Sequence, residues 1–184
     1  KTFRNALRIY LGDTYAKKNY NKITVQEIID EANIGRTTFY AHFETKDDLL
    51  KSLCEELFGH IIDSALDCTH THGLYSNANV PESIFCHLLQ HLQENDNNIL
   101  DLLSCESNDI FLRYFKSCLS ELIRTQFGDS ITQNRNDVPT DFLINHISGS
   151  FVEMVLWWIN GGLKYKPEQL DQFFRYVLKP VVQE

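Results

Sequence analysis

Seven consecutive residues, Arg36-Thr37-Thr38-Phe39-Tyr40-Ala41-His42, mix donors, acceptors and methyl groups in a way that suits reading a polar surface, not breaking a bond. On a helical wheel Phe39 and Phe43 take one side, Thr37, Thr38 and Ala41 the opposite one, and Arg36, Tyr40 and His42 flank it. Small outward side chains permit close approach, and Thr or Ala methyls suit contact with a thymine methyl. Other groupings offer weaker chemistry. His87 and His91 stand one helical turn apart with Cys86 beside them, a spacing a metal uses. Sequence fixes no C-x-x-C or carboxylate partner for them, so surface or pocket histidines are the better reading and no metal is assigned. His70-Thr71-His72, in a polar stretch, is weaker still. Cys54, Cys68, Cys86, Cys105 and Cys118 are odd in number and lack framework spacing, which reads as reduced thiols. A thiol or metal sensor stays open as a minor alternative. There is no G-x-S-x-G, no phosphate-cradling glycine loop and no H-E-x-x-H, and capping explains the paired acids Asp47-Asp48. No enzymatic activity and no cofactor are expected.

Presenting Arg36 to His42 requires a scaffold, and the flanking sequence supplies one. Thr24-Val25-Gln26-Glu27 is a capping box, followed by the apolar face Val25, Ile28, Ile29 and Ala32. Asn33-Ile34-Gly35 makes a tight turn, with Asn33 at a left-handed position and Gly35 as N-cap of a helix from Arg36 to about Phe43. Phe39 and Phe43, with Ile34, face inward. Thr45-Lys46-Asp47-Asp48 is a second box, opening a long helix that runs to Leu66. Ahead of these, Phe3, Ala6, Leu7, Tyr10, Leu11 and Ala16 give a helical stripe over Lys1 to Lys18, ended near Asn19. Two short helices joined by a tight turn, the second polar outside, are the helix-turn-helix pattern, whose second helix lies in a DNA major groove.

The rest of the chain is also helical. A helix starts at Pro81 (Ile84, Phe85, Leu88, Leu89, Leu92), a break falls at Asn95–Asn98, and a short helix spans about Ile99–Cys105. A longer one covers Asp109–Phe127, a polar loop Gly128–Asp137, a helix from Pro139 to Asn160 stopped by Gly161-Gly162, and a last one from Pro167 to about Val182. The expectation is an all-α fold of about nine helices. A helix-turn-helix domain would occupy residues 1–46, and a ligand-binding and dimerisation domain 47–184.

Net charge is −8, at first sight wrong for a phosphate partner. Its distribution points the other way. Through Lys51 there are nine basic and seven acidic residues, and beyond it eight against eighteen, so a +2 head sits on a −10 body. No apolar run approaches the ~20 residues needed to cross a bilayer and no signal peptide is seen, so no membrane partner and a cytoplasmic location are expected. The chain opens at Lys1 without Met and already in helical pattern, which predicts that a short stretch precedes it.

The segment Ile23 to Leu50, with Tyr40, Phe43 two positions after Ala41, and Lys46 before an acidic pair and leucines, resembles the N-terminal DNA-binding region of TetR-family transcription regulators. It departs from the family at Asn19 and Asn33, where Gly is usual, and at Gly35, where Ser or a similar residue is usual. The resemblance implies base-edge roles for Gln26, Arg36, Thr37 and Thr38, with Arg36 as a bidentate guanine donor, and phosphate roles for Thr24, Tyr40, His42 and Lys46. The alternatives are that Tyr40 is a core aromatic, Thr24 only a cap and Lys46 a solvated first-turn charge. Phe142–Gly162, with Trp157-Trp158-Ile159-Asn160-Gly161-Gly162 and then Pro167-Glu168-Gln169-Leu170, resembles a C-terminal type found in dihydroxyacetone-kinase regulators and relatives.

From the family one expects a homodimer on a palindromic double-stranded operator, repression by default, and release by a small-molecule effector of unknown identity. Activation, or action through a protein partner, is the alternative. The last two long helices would form the dimer interface through Ser148, Gly149, Ser150, Phe151, Val155, Trp158, Phe174, Val177 and Leu178, unless these rows pack within the subunit. Candidate effector-pocket residues are Phe58, Ile61, Phe111, Phe115, Met154 and Trp157.

Overall fold

A computed structural model describes residues 22–66, 83–94, 99–104, 109–134 and 138–182. Eight α-helices and no strand occur among the described residues. They are α1 (Val25–Glu31), α2 (Arg36–Tyr40), α3 (Lys46–Leu66), α4 (Ile84–Gln93), α5 (Ile99–Ser104), α6 (Asp109–Asn134), α7 (Thr140–Asn160) and α8 (Pro167–Val182). The helix expected over Lys1–Lys18, its stop at Asn19, and Cys68, His70, His72, Pro81 and Cys105 lie outside the described residues.

Local chemistry sets the helix ends. Thr24 caps α1 in a complete capping box: its hydroxyl accepts from the Glu27 amide (3.2 Å) while its own amide donates to Glu27 Oε2 (2.8 Å). The helix closes with Asn33 at φ 50° and the Ile34 amide bonded back to the Ile29 carbonyl (3.0 Å), so Asn performs the left-handed turn usually given to Gly. Thr45 and Asp48 repeat the box at α3. Gly162, at φ 71°, ends α7 with the Leu163 amide on the Trp158 carbonyl (3.0 Å).

Three expected boundaries move. Helix α2 stops at Tyr40, with Ala41 as C-cap, short of Phe43. Helix α4 begins at Ile84, because extended Ser83 is the N-cap and its hydroxyl accepts from Phe85 N–H (3.2 Å). Helix α6 runs through Gly128 to Asn134 where a polar loop was expected. A single helical Gly costs only about 1 kcal/mol, which packing of a long helix overrides.

One core cluster runs from Ile23 to Leu178. Helix α3 contributes Leu49, Leu50, Leu53, Cys54, Leu57, Phe58 and Ile61, and packs along α6 through Phe111, Phe115, Leu119, Leu122 and Ile123. Helix α6 in turn packs along α7, and α4 lies against α8. By length and composition α7 is apolar enough to cross a membrane, which a search for uninterrupted apolar runs misses. One side of it is engaged in packing, where Leu143, Ile144, Ile147, Phe151, Val152, Val155 and Trp158 are buried.

Candidate nucleic-acid interface

Helix α2 is anchored by one side chain and offers nearly everything else to solvent. Phe39 is fully buried, edge-on to Tyr40 (5.4 Å between centroids) and tilted against Phe43 (5.6 Å). Burying such a ring stabilises by about 1.5–3 kcal/mol, enough to fix the roll of so short a helix. Arg36, Thr37, Thr38, Tyr40, Ala41 and His42 are all exposed. Tyr40, 51% accessible, is thus an outward aromatic and not a core one.

The two short helices are tied at the presenting surface. Arg36 Nη2 donates to Gln26 Oε1 (2.8 Å), and Gln26 Nε2 donates to Asp30 Oδ1 (2.7 Å). Two of the expected base readers are therefore one hydrogen-bonded unit. Asp30, at helical spacing from Gln26, is a positioning residue that sequence reasoning missed; the i,i+4 separation is the signal that points to it.

Thr24 is exposed, yet its hydroxyl already accepts from Glu27 N–H and donates to Glu27 Oε2 (3.0 Å), which is the cap role of the two expected for it. Lys46 turns inward: its ammonium donates to the Ile23 carbonyl (2.8 Å), joining the start of α3 to the entry of α1. Burial holds its pKa below the ordinary lysine range, against the pull of Asp47 and Glu27. Lys46 is thus a part-buried brace between elements and not merely a solvated charge.

In the body, Phe58, Ile61, Phe111 and Phe115 are buried together, with Phe58 edge-on to Phe115 (5.1 Å). Met154 is partly buried against the core, whereas Trp157 is 54% accessible and stacks on Tyr165 (5.6 Å). Of the residues expected at a dimer interface, Ser148, Phe151, Val155, Trp158, Phe174 and Leu178 are buried within the single chain and have little surface to give a partner. Ser148 accepts a hydrogen bond from Ser120 (3.0 Å), and a Cβ at Gly149 would lie 3.7 Å from Lys116 Nζ. The small residues do allow close helix approach, but the neighbour is α6 of the same chain. Val177 is 67% accessible, and the same two helices, α7 and α8, also carry the exposed Phe142, Trp157, Phe173 and Tyr176.

His87 and His91 are buried, not at the surface, and their Nε2 atoms lie 3.0 Å apart. Helix α3 brings His60 to them, a third imidazole that no local spacing announces.

Two family descriptions match the chain: "Bacterial regulatory proteins, tetR family" over residues 13–53 and "Transcriptional regulator C-terminal region" over residues 79–180. An uncharacterized HTH-type transcriptional regulator of Bacillus subtilis, YerO, is 44% identical over 45 residues, a match covering 24% of this chain and only 16% of that protein. The TetC protein of transposon Tn10 from Escherichia coli is 30% identical over 167 residues, covering 86% of this chain and 80% of TetC. A crystal structure of a TetR transcriptional regulator from Streptococcus agalactiae superimposes with a TM-score of 0.68 at 31% identity, over 98% of this chain and 94% of that one. An exposed recognition face on a buried anchor, matches at both ends of the chain and a full-length structural likeness all agree: the chain belongs to the TetR family of bacterial transcriptional regulators and is a DNA-binding protein.

Proposed function

We propose that the protein is a cytoplasmic repressor that binds a palindromic operator as a homodimer and leaves it when a small molecule enters the body. The carrying observation is the surface of α2, where Arg36, Thr37, Thr38, Tyr40, Ala41 and His42 stand exposed over a single buried anchor. Arg36, Gln26, Thr37 and Thr38 read base edges, while Tyr40, His42 and the exposed rim of Thr24 meet phosphates. Lys46 acts chiefly as the brace that holds α1 and α3 in register.

One short helix reads too few base pairs, so two copies are needed. Residues 1–46 form the reading head and 47–184 the body. The exposed aromatic face of α7 and α8 meets its twofold mate, and the heads then fall about one DNA turn apart, ~34–36 Å. An effector entering between α3 and α6 must part Phe58, Ile61, Phe111 and Phe115. It favours a body conformation in which the heads no longer match the half-sites, by as much as its affinity for the two states differs.

Selection of duplexes retained by the purified chain tests this directly. The expected product is a palindrome protected at both half-sites by two chains. Recovery of an asymmetric site carrying one chain, with no binding to symmetric sequences, overturns it.

A further inference from the structure

The described residues contain one convergence of metal-ligating side chains that DNA reading leaves unused. His60 on α3 and His87 and His91 on α4 each offer a ring nitrogen within 4.8 Å of the others, and the Nε2 atoms of His87 and His91 are 3.0 Å apart. Ring centroids lie 4.7 Å apart for His60 and His91, 5.9 Å for His60 and His87, and 4.8 Å for His87 and His91. We propose that these three imidazoles form a binding site for a late first-row divalent cation, Zn2+ foremost, and that the bound ion sets the angle at which α3 carries the head.

Coordination geometry supports the assignment. Zn–N bonds of about 2.0–2.1 Å in a tetrahedron place ligand atoms about 3.3–3.4 Å apart. The His87–His91 pair is already near that span, and its i,i+4 spacing on one helix is suited to chelation. His60 is exposed, so a rotamer change can bring its nitrogen in without disturbing the core. Three neutral nitrogens suit Zn2+, Ni2+ or Cu2+ and not Mg2+ or Ca2+, which prefer oxygen. The fourth position falls to water or to a carboxylate at helical spacing from His60, where Glu56 and Asp63 stand. The acidic body favours a cation there.

The regulatory half of the proposal rests on the operator reading under Proposed function. Helix α3 starts at Lys46, directly after α2, and Lys46 is bonded to the Ile23 carbonyl ahead of α1. His60 lies fourteen residues along that helix, about 21 Å from its start. A bond from His60 to α4 therefore restrains a lever whose far end holds the recognition helix.

The untagged full-length chain is titrated with Co2+, whose visible spectrum reports tetrahedral ligation, and then with Zn2+ in competition. One ion per chain is expected. His87→Gln and His91→Gln should each lower affinity by at least the roughly 10–100-fold that even supporting partners of a ligand cost, with unchanged helical circular dichroism. His60→Gln should weaken binding while leaving the α4 pair intact, which also covers the case in which an α4 variant fails to fold. Absence of a tetrahedral spectrum, or wild-type affinity in all three variants, overturns the site. In a second arm, affinity for the selected duplex is measured with and without Zn2+, and a change seen in wild type but not in His60→Gln supports the lever. Metal binding with unaltered duplex affinity overturns regulation alone, whereas metal binding with no duplex affinity in any state indicts the operator reading.

Discussion

Arg36 is held in place before any DNA arrives. Its bond to Gln26, which is itself bonded to Asp30, fixes the guanidinium at the edge of α2 and spares part of the ordering entropy at binding. Arg36→Ala is expected to cost about 1–3 kcal/mol on the selected duplex and to flatten the preference at one base pair per half-site. Arg36→Lys keeps the charge but not the two-pronged donor, so it should preserve salt dependence while losing that preference. Anisotropy titrations on single-base operator variants check both; an unchanged ranking of sequences after Arg36→Ala removes Arg36 from base reading. The thiols point the other way. Burial pushes the Cys54 thiol far up from its ordinary value, with Cys118 and Glu55 adding to the effect, and burial likewise raises Cys118. Both stay protonated at neutral pH, so Cys54 should react with a disulfide reagent only as fast as the chain unfolds. Rapid modification of Cys54 in the folded chain would revive the thiol-sensor alternative. At this scale the caps, the left-handed Asn33 and the outward side of α2 were legible, because each depends on residues within one or two turns. The inward Lys46 and the His60 ligand were not, since each depends on a partner 23 or more residues away.

Element by element, helix type followed from periodicity, while helix ends followed it only where a side chain or a glycine dictates them. The α3 start is the clearest case. The Thr45 hydroxyl and then its amide bond to the Asp48 carboxylate and hold its pKa below the ordinary range. A carboxyl whose folded value is depressed stabilises fully above its unfolded value, and that contribution is lost as pH falls through the depressed one. Wild type should therefore melt above Asp48→Ala at neutral pH, and the two curves should converge in acid. A gap that persists well below the ordinary carboxylate range would show that the side chain acts through packing instead. Polar letters misled at the end of α6, because Gly128-Asp129-Ser130 reads as a loop while the helix continues to Asn134. They also misled at Ser148 and Gly149, where small residues announce close approach but cannot say whether the approaching helix belongs to the same chain.

That ambiguity becomes decisive for the whole molecule, because a regulator with two heads needs a face to share. The apolar rows on α7 and α8 read as one set, which a one-dimensional pattern does not divide into an inner and an outer face. The fold does: Phe174 is 4% accessible and edge-on to Phe85 and Phe151, while Tyr176 and Val177 on the same helix are 80% and 67% accessible. Trp157, Tyr165 and Phe173 continue the outer face as a run of ring contacts. Exposed apolar area of this kind marks an interaction surface. The two faces give opposite outcomes when mutated. Phe174→Ala should lower stability by about 3–5 kcal/mol through the cavity it leaves in the chain. Tyr176→Asp with Val177→Asp should leave the folded monomer within about 0.5 kcal/mol of wild type, because surface changes act weakly on folding. That pair should still cost at least ~2 kcal/mol in dimerisation, as buried interface anchors do. Sedimentation should then find the double variant monomeric at concentrations where wild type is paired, and its operator binding should fall to that of one head on one half-site. A double variant that stays paired and binds the full palindrome as tightly as wild type would place the shared face elsewhere on the body.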